Sequence, residues 1–249
     1  MLKTRIVPTL LSRGRELVKG KGFDSWRRIG TVMQASRVHQ MRGVDEIVIL
    51  DIGATPEGRG PDFALIRDLT DECFMPVTVG GGVRTIEDIH ALLYAGADKV
   101  SINTAAVRTP GIVQQAAERF GSQAVVVSID VKAGEVSTRC GSEMTGLDPV
   151  GWAQEVERLG AGEILLCSVE RDGTMAGYDR ELIAKVSKAV RIPVIASGGC
   201  SGYEDMADVL GTTEAHAVAA GALFQFCDAT PKGAAEYLAG RGFAVRIAA

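Results

Sequence analysis

Eight short runs rich in apolar and β-branched residues recur along the chain, each followed by a longer stretch whose apolar positions return every three or four residues. The runs span residues 5–10, 46–52, 76–79, 99–102, 124–130, 163–167, 193–197 and 214–219. Their lengths suit strands, and the segments between them suit helices. In Thr85-Ile86-Glu87-Asp88-Ile89-His90-Ala91-Leu92-Leu93, Thr85 can cap a helix start and Asp88 falls at the third helical position. Strict alternation of strand and helix predicts a parallel sheet.

An open doubly wound sheet would alternate in the same way, but an internal repeat favours closure. Pro76-Val77-Thr78-Val79-Gly80-Gly81-Gly82 aligns with Pro193-Val194-Ile195-Ala196-Ser197-Gly198-Gly199 at an offset of 117. The same offset places Glu46-Ile47-Val48-Ile49 on Glu163-Ile164-Leu165-Leu166, Glu87-Asp88 on Glu204-Asp205, and Thr104-Ala105 on Gly221-Ala222. Two four-strand halves, roughly 1–120 and 121–249, close most simply into one α/β barrel of eight strand–helix units, a single (β/α)8 TIM-barrel domain spanning 1–249.

Composition changes this picture little. The chain has 249 residues, the size of one such barrel, with 46% hydrophobic residues, 23% charged residues and formal net charge -4. No basic stripe marks a nucleic-acid partner. No apolar run reaches the roughly 18 residues of a membrane span, and Met1-Leu2-Lys3-Thr4-Arg5 leads into a strand-like segment, so a cytoplasmic chain without membrane partners is expected. The five cysteines (Cys73, Cys140, Cys167, Cys200, Cys227) are odd in number and form no C-x-x-C pair, which points to reduced thiols. With the three histidines (His39, His90, His216) also dispersed, neither a metal site nor a cofactor is expected.

Ligands of such barrels sit at the carboxyl ends of the strands, where glycine lets a phosphate approach the backbone. Gly80-Gly81-Gly82 and Asn103-Thr104 end strands in the first half; Ser197-Gly198-Gly199 and Ala220-Gly221 end their counterparts in the second. The pairing predicts two phosphate cradles across one mouth, although each cluster alone also fits a tight strand-to-helix turn. Asp51, Asp130 and Asp172 stand at or just past strand ends. Asp130 closes an apolar run, so its pKa can be tuned toward acid–base work, unless it caps a loop or pairs with Lys132. Asp172, in Arg171-Asp172-Gly173-Thr174, also reads as a turn pair. Lys19, within Val18-Lys19-Gly20-Lys21-Gly22-Phe23, is either a lid lysine over the mouth, at the start of a lid loop from Lys19 to Ile29, or a solvated loop charge. At the opposite end Arg5, Glu46, Lys99 and Glu163 each begin a strand. Pointing inward, two cations and two carboxylates would pair as a plug; pointing outward, they would meet the helices.

Val18-Lys19-Gly20, Thr78-Val79-Gly80-Gly81-Gly82, Asp98-Lys99-Val100-Ser101-Ile102-Asn103-Thr104-Ala105-Ala106-Val107 and Phe120-Gly121-Ser122-Gln123-Ala124-Val125-Val126-Val127 together resemble the cyclase subunit of imidazole glycerol phosphate synthase. Gly160-Ala161-Gly162-Glu163-Ile164-Leu165-Leu166, Arg171-Asp172-Gly173-Thr174, Gly177-Tyr178-Asp179 and Ile195-Ala196-Ser197-Gly198-Gly199 extend the likeness over most of the chain. The resemblance implies a barrel that docks a glutaminase at its bottom, admits ammonia through a charged gate, and joins it at the top to a bisphosphorylated ribulosyl-aminoimidazole compound. It implies that Arg5, Glu46, Lys99 and Glu163 form the gate. Gly81, Gly82, Asn103 and Thr104 would hold one phosphate, and Asp172, Gly173, Gly198, Gly199, Ala220 and Gly221 the other. Lys19 would be the lid lysine, with Asp51 and Ser197 beside it at the mouth.

That family's chemistry uses two aspartates, and Asp130 matches one. Where the family reads proline-cysteine-leucine-aspartate, this chain reads Pro8-Thr9-Leu10-Leu11. Losing one positioned acid or base typically costs about 10²- to 10⁴-fold in rate, so ring cyclisation is expected to be impaired unless Ser12 or another group substitutes. The departure resembles diverged paralogues that work with a glutaminase and a separate amidotransferase in amidinating sugars of bacterial surface polysaccharides. The alternatives are a histidine-pathway lyase with relocated acid–base chemistry and, less well matched to Glu46 and Glu163, a phosphosugar isomerase.

Overall fold

The computed structural model describes residues 3–247. The chain opens with β1 (Arg5–Arg13), a hairpin of β2 (Glu16–Lys21) and β3 (Asp24–Thr31), and helix α1 (Val32–Met41). Three units follow: β4 (Ile47–Asp51) with α2 (Phe63–Thr70), β5 (Val77–Gly80) with α3 (Ile86–Tyr94), and β6 (Lys99–Ile102) with α4 (Thr104–Arg108) and α5 (Gly111–Phe120). A second hairpin, β8 (Glu135–Thr138) with β9 (Glu143–Met144), separates β7 (Val125–Lys132) from α6 (Pro149–Arg158). Then come β10 (Glu163–Ser168) with α7 (Arg180–Ala189), β11 (Val194–Ser197) with α8 (Tyr203–Thr212), and β12 (Ala217–Ala220) with α9 (Ala222–Phe226) and α10 (Pro231–Gly240).

Strands β1, β4, β5, β6, β7, β10, β11 and β12 are parallel neighbours in that order, and β12 pairs with β1. The ring closes, making the fold a (β/α)8 TIM barrel. Local chemistry sets the helix starts. Thr85 and Asp88 form a reciprocal capping box at α3, and Asp148 and Thr230 cap α6 and α10, each followed by a proline whose missing N–H costs the first turn nothing.

Both hairpins lie beyond the eight-strand pattern. Residues 19–29 do not form a loop; most of them lie in β2 and β3, which pair antiparallel. The segment lacks apolar alternation because β3 is largely exposed and is held by backbone pairing, so no side-chain pattern marks it.

Inside the barrel, alternate residues of each strand face the lumen. At the bottom Arg5, Glu46, Lys99 and Glu163 form a closed ring. Arg5 binds Glu46 at 2.7 Å and also Glu163, and Lys99 reaches both carboxylates at 2.9 Å. The Thr78 hydroxyl adds a bond to Glu46 at 2.8 Å. Burial pushes the Glu46 carboxyl up, but Lys99 and Arg5 more than offset this and hold it below the ordinary carboxylate range. Above the ring the lumen is aliphatic, filled by Val7, Val48, Val126, Leu165, Ile195, Ala217 and Ala219.

Glu46→Ala leaves two cations sharing Glu163, the loss of one partner from a buried ion pair. We expect a stability loss of about 3–5 kcal/mol, read from the denaturant midpoint at constant slope. A loss below about 1 kcal/mol would mean that the ring behaves as an exposed salt bridge.

Candidate active site

The mouth at the carboxyl ends of the strands holds two adjoining cavities. The larger, of about 900 Å³ including space open to solvent, runs from Gly81, Gly82, Asn103 and Thr104 across Asp51 and Asp130. The smaller lies between Lys19, Asp172, Gly173, Gly198, Gly199, Ala220 and Gly221. Thr9, Leu11, Asp172 and Ser197 line both. The structure thus gathers every mouth residue expected from the sequence around one opening and places the four bottom charges at the far end of the lumen.

Asp130, at the centre, accepts from Asn103 Nδ2 at 2.7 Å and from Ser128 Oγ at 3.1 Å. Lys132 is not its partner; that ammonium binds the Gly141 carbonyl at 2.8 Å. The surrounding protein desolvates the Asp130 carboxyl and raises it to about 6. The nearby Asp172 charge adds to this rise, while the bonds from Ser128 and Asn103 oppose it. A group of that strength exchanges protons near neutral pH.

Lys19 is 4% exposed, with its ammonium 3.3 and 3.4 Å from the two Asp172 oxygens, so it is a buried mouth residue and not a solvated charge. The β2–β3 hairpin carries it there. At the hairpin tip the Gly22 N–H donates to the Asp172 carbonyl at 2.9 Å. A Cβ on Gly173 would come within 2.1 Å of the Gly20 carbonyl oxygen, so glycine is required there for the hairpin to seat. Phe23 and Trp26 of the same hairpin wall the larger cavity.

Asp51 accepts from the backbone N–H groups of Gly53 and Ala54 and from the Arg59 guanidinium at 3.2 Å, which orders the loop after β4. Leu11 is 6% exposed and presents an apolar side chain to both cavities.

Several mouth residues did not stand out in the sequence. Thr9, Ser101, Ser128 and Cys167 share strand parity with Arg5, Lys99, Asp130 and Glu163, and that parity is the signal that would have found them. Phe23, Trp26 and Thr55 reach the mouth from the hairpin and a loop and carry no such signal. Cys140 also lines the larger cavity, and its thiol donates to the Ile52 carbonyl at 3.2 Å. Burial, with the Asp130 and Asp51 charges, pushes it up to about 12, so it stays a thiol and not a nucleophilic thiolate. All five cysteines are free. Among the described residues no helix is long and apolar enough to cross a membrane.

A family model described as Histidine biosynthesis protein matches residues 5–228, from the first residue of β1 to the segment before α10.

Asp130 yields a pH prediction. Its folded value of about 6 lies above the ordinary 3.8, so the folded chain favours the neutral acid. Its contribution to stability is therefore complete below the unfolded value and is lost as pH rises through about 6. Chemical denaturation of the chain and of Asp130→Asn at pH 3.5, 5 and 7 should show a stability difference that changes across this window. A difference independent of pH would refute the raised value.

Proposed function

The chain belongs to the histidine biosynthesis protein family, isomerase- and cyclase-type enzymes of that pathway, and on that premise we propose that it is a diverged cyclase-type subunit delivering ammonia. A partner glutaminase releases ammonia at the bottom of the barrel, the lumen conducts it, and a phosphorylated ligand or a separate amidotransferase receives it at the mouth. The acceptor process is the amidination of sugars in bacterial surface polysaccharides.

The observation that carries this reading is the closed ring of Arg5, Glu46, Lys99 and Glu163 at one end of a lumen whose other end presents Leu11. In this reading the ring keeps ions out, and the aliphatic side chains that fill the lumen above it part to let neutral ammonia through. Lys99, a compact charge on a flexible stem, is the member best suited to swing aside. Leucine at position 11 cannot transfer a proton, so the mouth holds Asp130 without the second carboxylate that ring closure requires in the family it resembles.

Docking is supported by the surface around the ring. Met41 at the end of α1, Phe74 before β5 and Tyr94 at the end of α3 are 80%, 85% and 80% exposed on the face where helices return to strands. Large exposed apolar groups gathered on one face fit a protein partner.

The second reading, a histidine-pathway cyclase, is favoured by Asp130 itself, tuned to about 6 and held by Asn103 and Ser128. Two measurements separate the readings. Purified chain should bind a glutaminase from its own cell and stimulate its glutamine hydrolysis, yet turn over the doubly phosphorylated histidine-pathway substrate at least about 100-fold more slowly than a cyclase with both aspartates. Leu11→Asp should raise that turnover if only the carboxylate is absent. Normal ammonia-dependent cyclisation by the unaltered chain would overturn the diverged reading.

A further inference from the structure

The hairpin beside the mouth ends the sheet. β3 pairs with β2 alone, and no strand among the described residues borders its other side. It is eight residues long and holds no proline, and Asp24, Ser25, Arg27 and Arg28 are exposed along it. A free edge of that length presents a row of unpaired N–H and C=O groups, onto which an extended chain can add as a further strand.

Charge decides what can be added. Residues 13–31 carry six cations, Arg13, Arg15, Lys19, Lys21, Arg27 and Arg28, against Glu16 and Asp24, in a chain whose formal net charge is -4. Other mouth loops have the opposite sign: residues 51–62 and 168–179 each carry three carboxylates and one arginine. Lys19 is turned inward to Asp172, and Arg13 and Arg15 pair with Glu57 and Asp68. Arg28 reaches Glu16 at 3.3 Å, but both side chains are more than half exposed, and an ion pair so exposed contributes little and readily changes partner. Lys21 and Arg27 are exposed, and no ion pair among the described residues includes them. The Arg27 guanidinium instead lies over the Phe226 ring, 5.0 Å from its centroid. Stacking fixes the plane of the guanidinium and leaves its N–H edge for a carboxylate.

The same charges guard the edge. A second copy of the chain adding β3 to β3 would bring arginines against arginines, which destabilises a strand pair. An acidic strand meets the reverse.

We propose that the free edge of β3 seats an extended segment rich in aspartate or glutamate, belonging to the protein that takes the ammonia, as one more strand of the sheet. The identity of that protein rests on the ammonia-delivery reading; the seat itself rests on the edge and its charge. An added strand would also hold the hairpin whose Phe23 and Trp26 wall the larger cavity, so that docking and cover are joined.

Fluorescence anisotropy of the full chain with a labelled peptide as long as β3, alternating glutamate and threonine, tests this. The peptide should bind with a Kd below about 1 mM, and binding should weaken with added salt. The same peptide N-methylated throughout keeps its charge but cannot donate to the ladder, and should bind at least about tenfold less well. Arg27→Glu combined with Arg28→Glu should weaken binding of the first peptide at least about tenfold while far-ultraviolet circular dichroism stays unchanged. If that double variant fails to fold, Lys21→Glu should weaken it at least about threefold. No binding, equal binding of the N-methylated peptide, undiminished binding by the charge-reversed chains, or tighter binding of a single-stranded oligonucleotide of the same charge would each overturn the proposal. Stimulation of a glutaminase, measured on the same preparation, reports separately: its absence beside peptide binding would remove the ammonia-delivery reading and leave the acidic-strand seat standing.

Discussion

Six residue pairs between β7 and β10, from Glu163 opposite Val126 to Ser168 opposite Val131, turn an eight-strand ribbon into a barrel. Once the ring is closed, every strand must send alternate side chains into the lumen, and the stagger stacks them in layers. On β1 the inward series is Arg5, Val7, Thr9 and Leu11; on β7 it is Val126, Ser128 and Asp130; on β6 it is Lys99 and Ser101, continued by Asn103 just past the strand. Charge, aliphatic filling, hydroxyls and mouth chemistry are thus successive levels of one axial column. A one-residue slip of any strand would move its contribution at all levels to the helix side.

The column explains why strong charges are tolerated at one end and a tuned carboxyl at the other. At the bottom, two cations and two carboxylates satisfy one another, and the threonine hydroxyl of β5 completes Glu46. At the mouth Asp130 has neutral donors but no cation bonded to it, so desolvation dominates and its proton is held more tightly. A carboxyl group in enclosed surroundings thus takes its protonation behaviour from the charge of its partners.

The eight-strand pattern, the repeat and the strand-end glycines were legible in the sequence because each rests on periodicity or on a residue with unusual backbone freedom. The meeting of Arg5, Glu46, Lys99 and Glu163 was legible as parity: each begins a strand, and closure brings strand starts together. The β2–β3 hairpin was not, because β3 is largely exposed and is placed by its backbone pairing with β2, while the buried run of β2, Leu17 to Gly20, holds only two apolar side chains. The engagement of Gly82, Asn103 and Thr104 was also illegible, since their partners Thr55, Asp130, Ser137 and Arg139 come from separate loops and strands.

The hairpin that brings Lys19 into the mouth is also the segment whose tip sits on Asp172 and Gly173. One hairpin therefore supplies both the cover and the cation. Swinging it outward would withdraw the ammonium together with Phe23 and Trp26, so an open mouth is also a mouth with weakened grip. For the phosphorylated ligand proposed above, entry, retention and departure would then share one clock, the opening rate of this hairpin, and tighter binding would lengthen residence by slowing that motion.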